Sequence, residues 1–346
     1  MARLSSVKLV FPPSYEPLRT GILSHLPPTW VPYARLAQID QPIGILSIFY
    51  PFLLGSLFAA CISPWPILPT ELISTTLVLL TAAFMFRSAG CTWNHIVARH
   101  FHHHDTQKQP RSMVQRTLRN PKPVVFFVLQ LAVGLLVLSS MGRVVLSYSF
   151  PLVGLEMAHP FAKRVALAHF PEVVLGFAFS AGVLVGCAAL DVDPWDLMND
   201  DATNNGSALI CLLLFCVVWQ ILHDFLFEQQ DVRGEKRTKH TSMIVRQQEP
   251  TLVLLWTLGQ IVVASPALTG LCMDAEWMYY VAEVGGTGAW LGMMLYKVDL
   301  KHRESCFWWS QVGAVAVGGA VALGLFGEYM CRCEGYSWYE GVPYRI

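Results

Sequence analysis

The stretch from His223 to Ser242 reads HDFLFEQQDVRGEKRTKHTS. Asp231 and Glu235 are four residues apart, so a helix continuing through them puts both carboxylates on one face. Asp224, seven residues before Asp231, falls on the same stripe. Three carboxylates in a row can hold Mg²⁺, a hard cation that takes carboxylate and phosphate oxygens. Arg233, Lys236 and Lys239 lie in the same stretch and can neutralise a phosphate group. A solvated helix end with i,i+4 charge pairs has the same spacing, so spacing alone leaves both readings open.

A second polar stretch, residues 87–123, begins RSAGCTWNHIVARHFHHHD. Asn94 and Arg99 precede a dense group formed by His100, His102, His103, His104 and Asp105. Imidazoles can ligate a metal, or when protonated can hold an anion. A polar loop without a ligand is the third reading. Consecutive residues point in different directions, so at most two of these histidines can meet one ion. The chain carries no nucleophile elbow, no phosphate-binding P-loop and no dinucleotide glycine motif.

The elements that must position these residues are apolar. Hydrophobic residues make up 54% of the 346 and charged residues only 14%, against about 25% in a typical soluble domain. Mean hydropathy is +0.45. Lys+Arg and Asp+Glu number 24 each, which excludes a nucleic-acid binder steered by net charge. Nine cysteines are too dilute for a disulfide scaffold, and Cys187, Cys211 and Cys216 sit inside apolar runs as small hydrophobes. The apolar residues come in runs long enough to cross a hydrocarbon core.

Nine spans are predicted, at Pro42–Ile62, Leu72–Phe86, Val124–Met141, Val144–Ala158, Val173–Leu190, Ala208–Leu222, Thr251–Leu271, Tyr279–Tyr296 and Phe307–Phe326. Glu156 and Glu283 are the ionisable residues inside them, and Glu283 can serve as a hydrogen-bonded packing residue. With nine spans, 21 of the 24 Lys and Arg residues fall on one side, which predicts a cytosolic N-terminus. The first 40 residues carry Pro12, Pro13, Pro17, Pro27 and Pro28 without a signal-type apolar core. Residues 1–40 are therefore expected to form a cytosolic extension, 41–330 a transmembrane domain, and 331–346 a short lumenal tail. The expected fold is all-α, a polytopic nine-helix bundle around a central cavity.

Several segments together resemble the UbiA superfamily of intramembrane prenyltransferases, and within it a fungal polyketide-terpenoid branch. They are PPTWVPYARLAQIDQPIGILSIFYPFLLGSLFAA at 27–60, RSAGCTWNHI at 87–96, RTLRNP at 116–121, HPFAKRVALAHFPEVVLGFAF at 159–179 and the 219–242 stretch. The resemblance runs from about Pro27 to Gly313. It implies a nine-helix bundle in which two Asp-rich motifs bind Mg²⁺ and a prenyl diphosphate. It also implies transfer of a farnesyl or similar group to a hydrophobic aromatic or polyketide acceptor, in the lipid bilayer of the endoplasmic reticulum. By the same resemblance Asn94 takes the first-motif Asn. Arg116, Arg119, Lys163 and Arg164, with Arg99 and Lys239, face phosphate. Asp231 and Glu235 take second-motif metal positions, with Asp224, Gln230 and Ser242 alongside.

The first motif departs from the family pattern. N-D-x-x-D-x-x-x-D here runs from Asn94 to His102, with His95, Ala98 and His102 where aspartates are expected. In the second motif Gly234 and Glu235 stand where aspartates are expected. Asn94, His102 or Asp105 can still join the second motif around a metal-bridged diphosphate, or protonated histidines can supply counter-charge. Terpene cyclisation, as in some superfamily members, is the alternative activity. A transporter and an inactive relative are the remaining readings.

Overall fold

The computed structural model describes residues 21–27, 29–39, 43–101, 121–162, 171–200, 202–232, 251–300, 302–334, 336–339 and 342–345. A 3₁₀ turn, Gly21–His25, and a short helix α1, Val31–Leu36, precede the bundle. The long helices follow as α2 Ile43–Ile62, α3 Pro69–Phe101, α4 Lys122–Ser139, α5 Arg143–Ala162 and α6 Pro171–Ala188. A five-residue helix α7, Pro194–Met198, leads into α8, Asn205–Val232, and α9, Thr251–Cys272. Next come α10 Trp277–Tyr280, a π-helical turn at Val281–Gly285, α11 Gly286–Lys297 and α12 Arg303–Glu334. A two-stranded antiparallel hairpin, β1 Tyr336–Tyr339 with β2 Val342–Arg345, ends the described chain.

Each predicted span coincides with helix, and the protein is a multi-pass membrane bundle. Among the described residues, seven helices are long and apolar enough to cross a membrane: α2, α3, α4, α6, α8, α9 and α12. The fourth and eighth predicted spans fall short for different reasons. Helix α5 carries Ser147, Ser149, Glu156, His159 and two internal prolines, which dilute its apolar surface. The eighth span is broken into α10, the π turn and α11. Glu283, fully buried, lies on that turn. The Thr287 hydroxyl donates to the Glu283 carbonyl at 2.5 Å and lies 3.3 Å from its Oε1. One oxygen of Glu283 is thus hydrogen-bonded within the helix, while Oε2 is buried without a hydrogen-bond partner. Residues 21–39 also fold onto the bundle: Val31, Ala34 and Leu36 are buried, and Tyr33 meets Phe126 edge-on at 5.1 Å.

Helices α2 and α6 form the centre, each with 72% of its apolar window buried, against 28% for the peripheral α4. On one side of this pair pack α3, α4 and α5; on the other pack α8, α9 and α12. The two central helices run parallel and touch backbone to backbone. A Cβ added at Gly55 would lie 2.1 Å from the Val183 carbonyl, and one at Gly186 would lie 2.2 Å from that of Phe52. Ser56 Oγ donates to the Gly186 carbonyl at 3.2 Å across the same seam. Neither clash can be relieved by moving a side chain. Gly186→Ala is therefore expected to destabilise the bundle by at least about 3 kcal/mol, the upper range of overpacking costs. A thermal-unfolding midpoint of the detergent-purified variant equal to the parent's would contradict this crossing.

Candidate functional site

The C-terminal ends of α3, α5, α8 and α11 lie at one end of the bundle, together with the start of α2. Three described polar groups gather toward that end. The first forms where α3 extends past the predicted limit of its span. Residues 87–101 belong to α3 and not to a loop, because Ser88, Ala89, Cys91, Thr92 and Val97 are buried at helical spacing. Thr92 Oγ1 bonds the Ser88 carbonyl at 2.8 Å and Gln130 Oε1 at 3.0 Å. The Trp93 indole donates to the Met157 carbonyl at 3.0 Å and its ring stacks on Phe127. Asn94 projects from the exposed face.

Arg87, taken in the sequence as a loop cation, is half-buried inside the bundle. Its Nη2 donates to Gln38 Oε1 at 3.2 Å, and Cys91 Sγ lies 3.3 Å from the same oxygen. Gln38 sits at a left-handed φ of 53°, which turns its amide toward α3. The missing side chain of Gly44 makes room for the guanidinium, since a Cβ there would lie 2.7 Å from Nη2. Glu156 on α5 lies within electrostatic reach of Arg87, and its Oε1 packs against Gly90. Glu156 also faces a narrow cleft lined by Ile48, Pro51, Leu152, Ala178, Phe179 and Gly182.

The third group lies where α6 meets α8. These helices run antiparallel, and a Cβ at Gly176 would lie 2.9 Å from the Val217 carbonyl. Val217, Gln220 and Asp224 follow one stripe of α8. Gln220 and Asp224 are buried, and Gln220 Nε2 donates to Asp224 Oδ1 at 3.3 Å. His223 Nδ1 lies 3.8 Å from the same oxygen. One turn before Gly176 on its own helix is Glu172, 1% exposed, with no hydrogen-bond partner on either carboxylate oxygen.

The predicted site residues divide accordingly. Asn94 and Asp224 are described with their side chains, one exposed and one buried. They stand on helices that do not pack as neighbours: α3 packs on α2, α4 and α5, and α8 on α6, α9 and α12. Arg99, Gln230 and Asp231 are helical, but their side chains lie outside the described residues. Helix α8 continues through Asp231, as the carboxylate stripe requires. His102, Asp105, Arg116, Arg119, Lys163, Arg164, Glu235, Lys239 and Ser242 all lie outside the described residues. Among the described residues no three His, Cys, Asp or Glu side chains gather as a metal site. Glu172 was not singled out in the sequence, and Arg87 was counted only as a loop charge. An acid two residues into an apolar helix was the available signal for Glu172.

A family model described as the UbiA prenyltransferase family matches residues 48–323. The mitochondrial 4-hydroxybenzoate polyprenyltransferase of Drosophila pseudoobscura pseudoobscura is 29% identical over 287 residues, covering 83% of this chain and 68% of that protein. Prenyltransferase ascA of Acremonium egyptiacum is 24% identical over 277 residues, covering 79% and 78%. A solved structure of a digeranylgeranylglyceryl phosphate synthase superposes with a TM-score of 0.58 at 13% identity, covering 87% of this chain and 98% of that one. At that identity the likeness concerns the fold.

Proposed function

The chain belongs to the UbiA prenyltransferase family, and on that premise we propose that it moves a prenyl group, farnesyl or similar, from its diphosphate to an aromatic or polyketide acceptor within the membrane. The observation that carries the reading is the buried carboxylate of Asp224, held by Gln220 on a helix that runs on through Asp231. Carboxylates beside an amide, in a chain whose sequence carries cations at Lys163, Arg164, Arg233, Lys236 and Lys239, suit a metal-bound diphosphate. Asp224, Asp231 and Glu235 would hold Mg²⁺, with Asn94, His102 or Asp105 reaching in from the other motif. When bound, Mg²⁺ supplies charge neutralisation for the leaving group. Arg99, Arg116, Arg119, Lys163, Arg164, Gln230 and Lys239 would bind the phosphate oxygens. The allylic C–O bond breaks as pyrophosphate leaves. The acceptor ring captures the cation and then loses a proton. Apolar helix faces keep water from that cation.

Both named relatives support a prenyl acceptor reaction by their descriptions. Membranes containing the full chain, given farnesyl or geranylgeranyl diphosphate, Mg²⁺ and a panel of aromatic acceptors, are expected to release pyrophosphate with acceptor-dependent product. No release with either donor across the panel contradicts the proposal. Replacement of first-motif aspartates by His95, Ala98 and His102 favours one second reading, terpene cyclisation. That reading requires a cyclic terpene by gas chromatography from the diphosphate alone.

We place the N-terminus in the cytosol, on the Lys and Arg asymmetry. The endoplasmic reticulum is proposed from the fungal resemblance, whereas the Drosophila relative carries a mitochondrial designation. Fractionation against markers of both membranes separates the two locations.

A further inference from the structure

Glu172 is a buried carboxylate without a partner, and such groups are rare because desolvating a charge costs several kcal/mol unless a counter-charge replaces the water. Both its oxygens are enclosed and neither is hydrogen-bonded. It stands in the first turn of α6, where the helix dipole favours negative charge. The free N–H groups of that turn nonetheless donate no bond to it.

The register shows where the carboxylate faces. Gly176, four residues on, is pressed against Val217 of α8. Residues four apart share a helix face, so Glu172 looks toward α8 one turn nearer the loop end. Because the helices are antiparallel, the same step along α8 leads from Val217 to Gln220 and Ile221, with Asp224 a turn beyond. Glu172, Gln220 and Asp224 therefore share one buried seam.

We propose that Glu172 is a divalent-cation ligand, completing with Asp224 a carboxylate pair at the α6–α8 seam. This rests on the transferase reading for the identity of the ion, Mg²⁺ carrying the diphosphate. Mg²⁺ commonly takes only one or two protein carboxylates and fills its remaining positions with water and phosphate oxygens. A pair is enough, so the site does not need a third described acid. Glu172 also supplies negative charge that the first motif, with His95, Ala98 and His102, does not. It comes from a helix outside both motifs.

The test reads ion binding without turnover. The purified full chain is titrated with Mn²⁺, alone and with inorganic pyrophosphate, and free Mn²⁺ is followed by electron paramagnetic resonance. The wild-type chain is expected to bind in at least the pyrophosphate arm. Glu172→Gln, folded by size exclusion and thermal unfolding, is expected to bind at least tenfold more weakly. Unchanged Mn²⁺ affinity in Glu172→Gln overturns the proposal, including the case where its unfolding midpoint falls, which marks a structural partner only. No Mn²⁺ binding by the wild type in either arm overturns it too. If Glu172→Gln does not fold, Glu172→Asp takes its place; an affinity equal to the wild type's then overturns it. Loss of Mn²⁺ binding in the variant with no prenyl transfer by the wild type leaves the ion site standing and removes only the transferase reading.

Discussion

Asp231→Ala is expected to lower pyrophosphate release by roughly 10²–10³-fold, the cost of removing one group that stabilises developing charge in an enclosed site. Asp224→Asn is expected to act in the same direction. The two differ in what else they disturb. Asp224 is buried and receives Gln220 at 3.3 Å, so its amide variant keeps the side-chain volume while weakening that bond. Asp231 stands at the last turn of α8, one residue before its end at Val232. It lies seven residues beyond Asp224, past the Gln220–Asp224 stretch that faces α6. Membrane insertion and the unfolding midpoint should therefore be unchanged in Asp231→Ala while turnover collapses. Unaltered activity in this variant takes the second motif out of the mechanism. An equal loss of stability and activity makes the residue a structural one.

Arg332→Leu is expected to destabilise the fold by about 3–5 kcal/mol, the range for a buried charge left without its partner. Glu328, 1% exposed, accepts Arg332 Nε at 2.6 Å and the Glu276 backbone N–H at 2.8 Å. The same guanidinium reaches the carbonyls of Cys61 at 2.8 Å and Met273 at 2.6 Å. One side chain of α12 thereby ties the ends of α2 and α9 at the pole opposite the candidate site. Tyr329, one turn along, donates to the Ile67 carbonyl at 2.8 Å. Leucine removes three bonds and strands the carboxylate. Adding Glu328→Gln to Arg332→Leu should recover part of the loss, because the stranded charge is gone. The thermal midpoint of the single and double variants checks both statements. A double variant less stable than the single would show that the acid contributes independently of its arginine.

The positions of the helices were legible in the sequence because membrane insertion depends on a one-dimensional quantity, the length of an apolar run. All nine predicted runs coincide with helix. The errors lie at helix ends and in helix quality. Predicted to stop at Phe86, α3 continues to Phe101, since a polar residue such as Thr92 is buried with its hydroxyl bonded to the Ser88 carbonyl and to Gln130. The eighth run looks continuous by composition, yet it contains a π turn at Glu283. Hydropathy reports transfer from water to lipid and is blind to hydrogen bonds made inside the bundle.

The carboxylate stripe of α8 was also readable, because i, i+4 and i+7 spacing is a property of one helix. What faces that stripe was not. Glu172 lies 52 residues before Asp224 in the chain, and the two fall on facing stripes of α6 and α8 only because these helices run antiparallel with Gly176 against Val217. Arg87 likewise looked like one more loop cation until Gly44, Gln38 and Glu156 enclosed it. Local spacing and hydropathy act through neighbours along the chain, so the sequence by itself determined a membrane bundle with acids and cations at its loops. Burial, pairing and the absence of a partner act through space, and only the packing of helices distant in sequence decided which of those charges are enclosed.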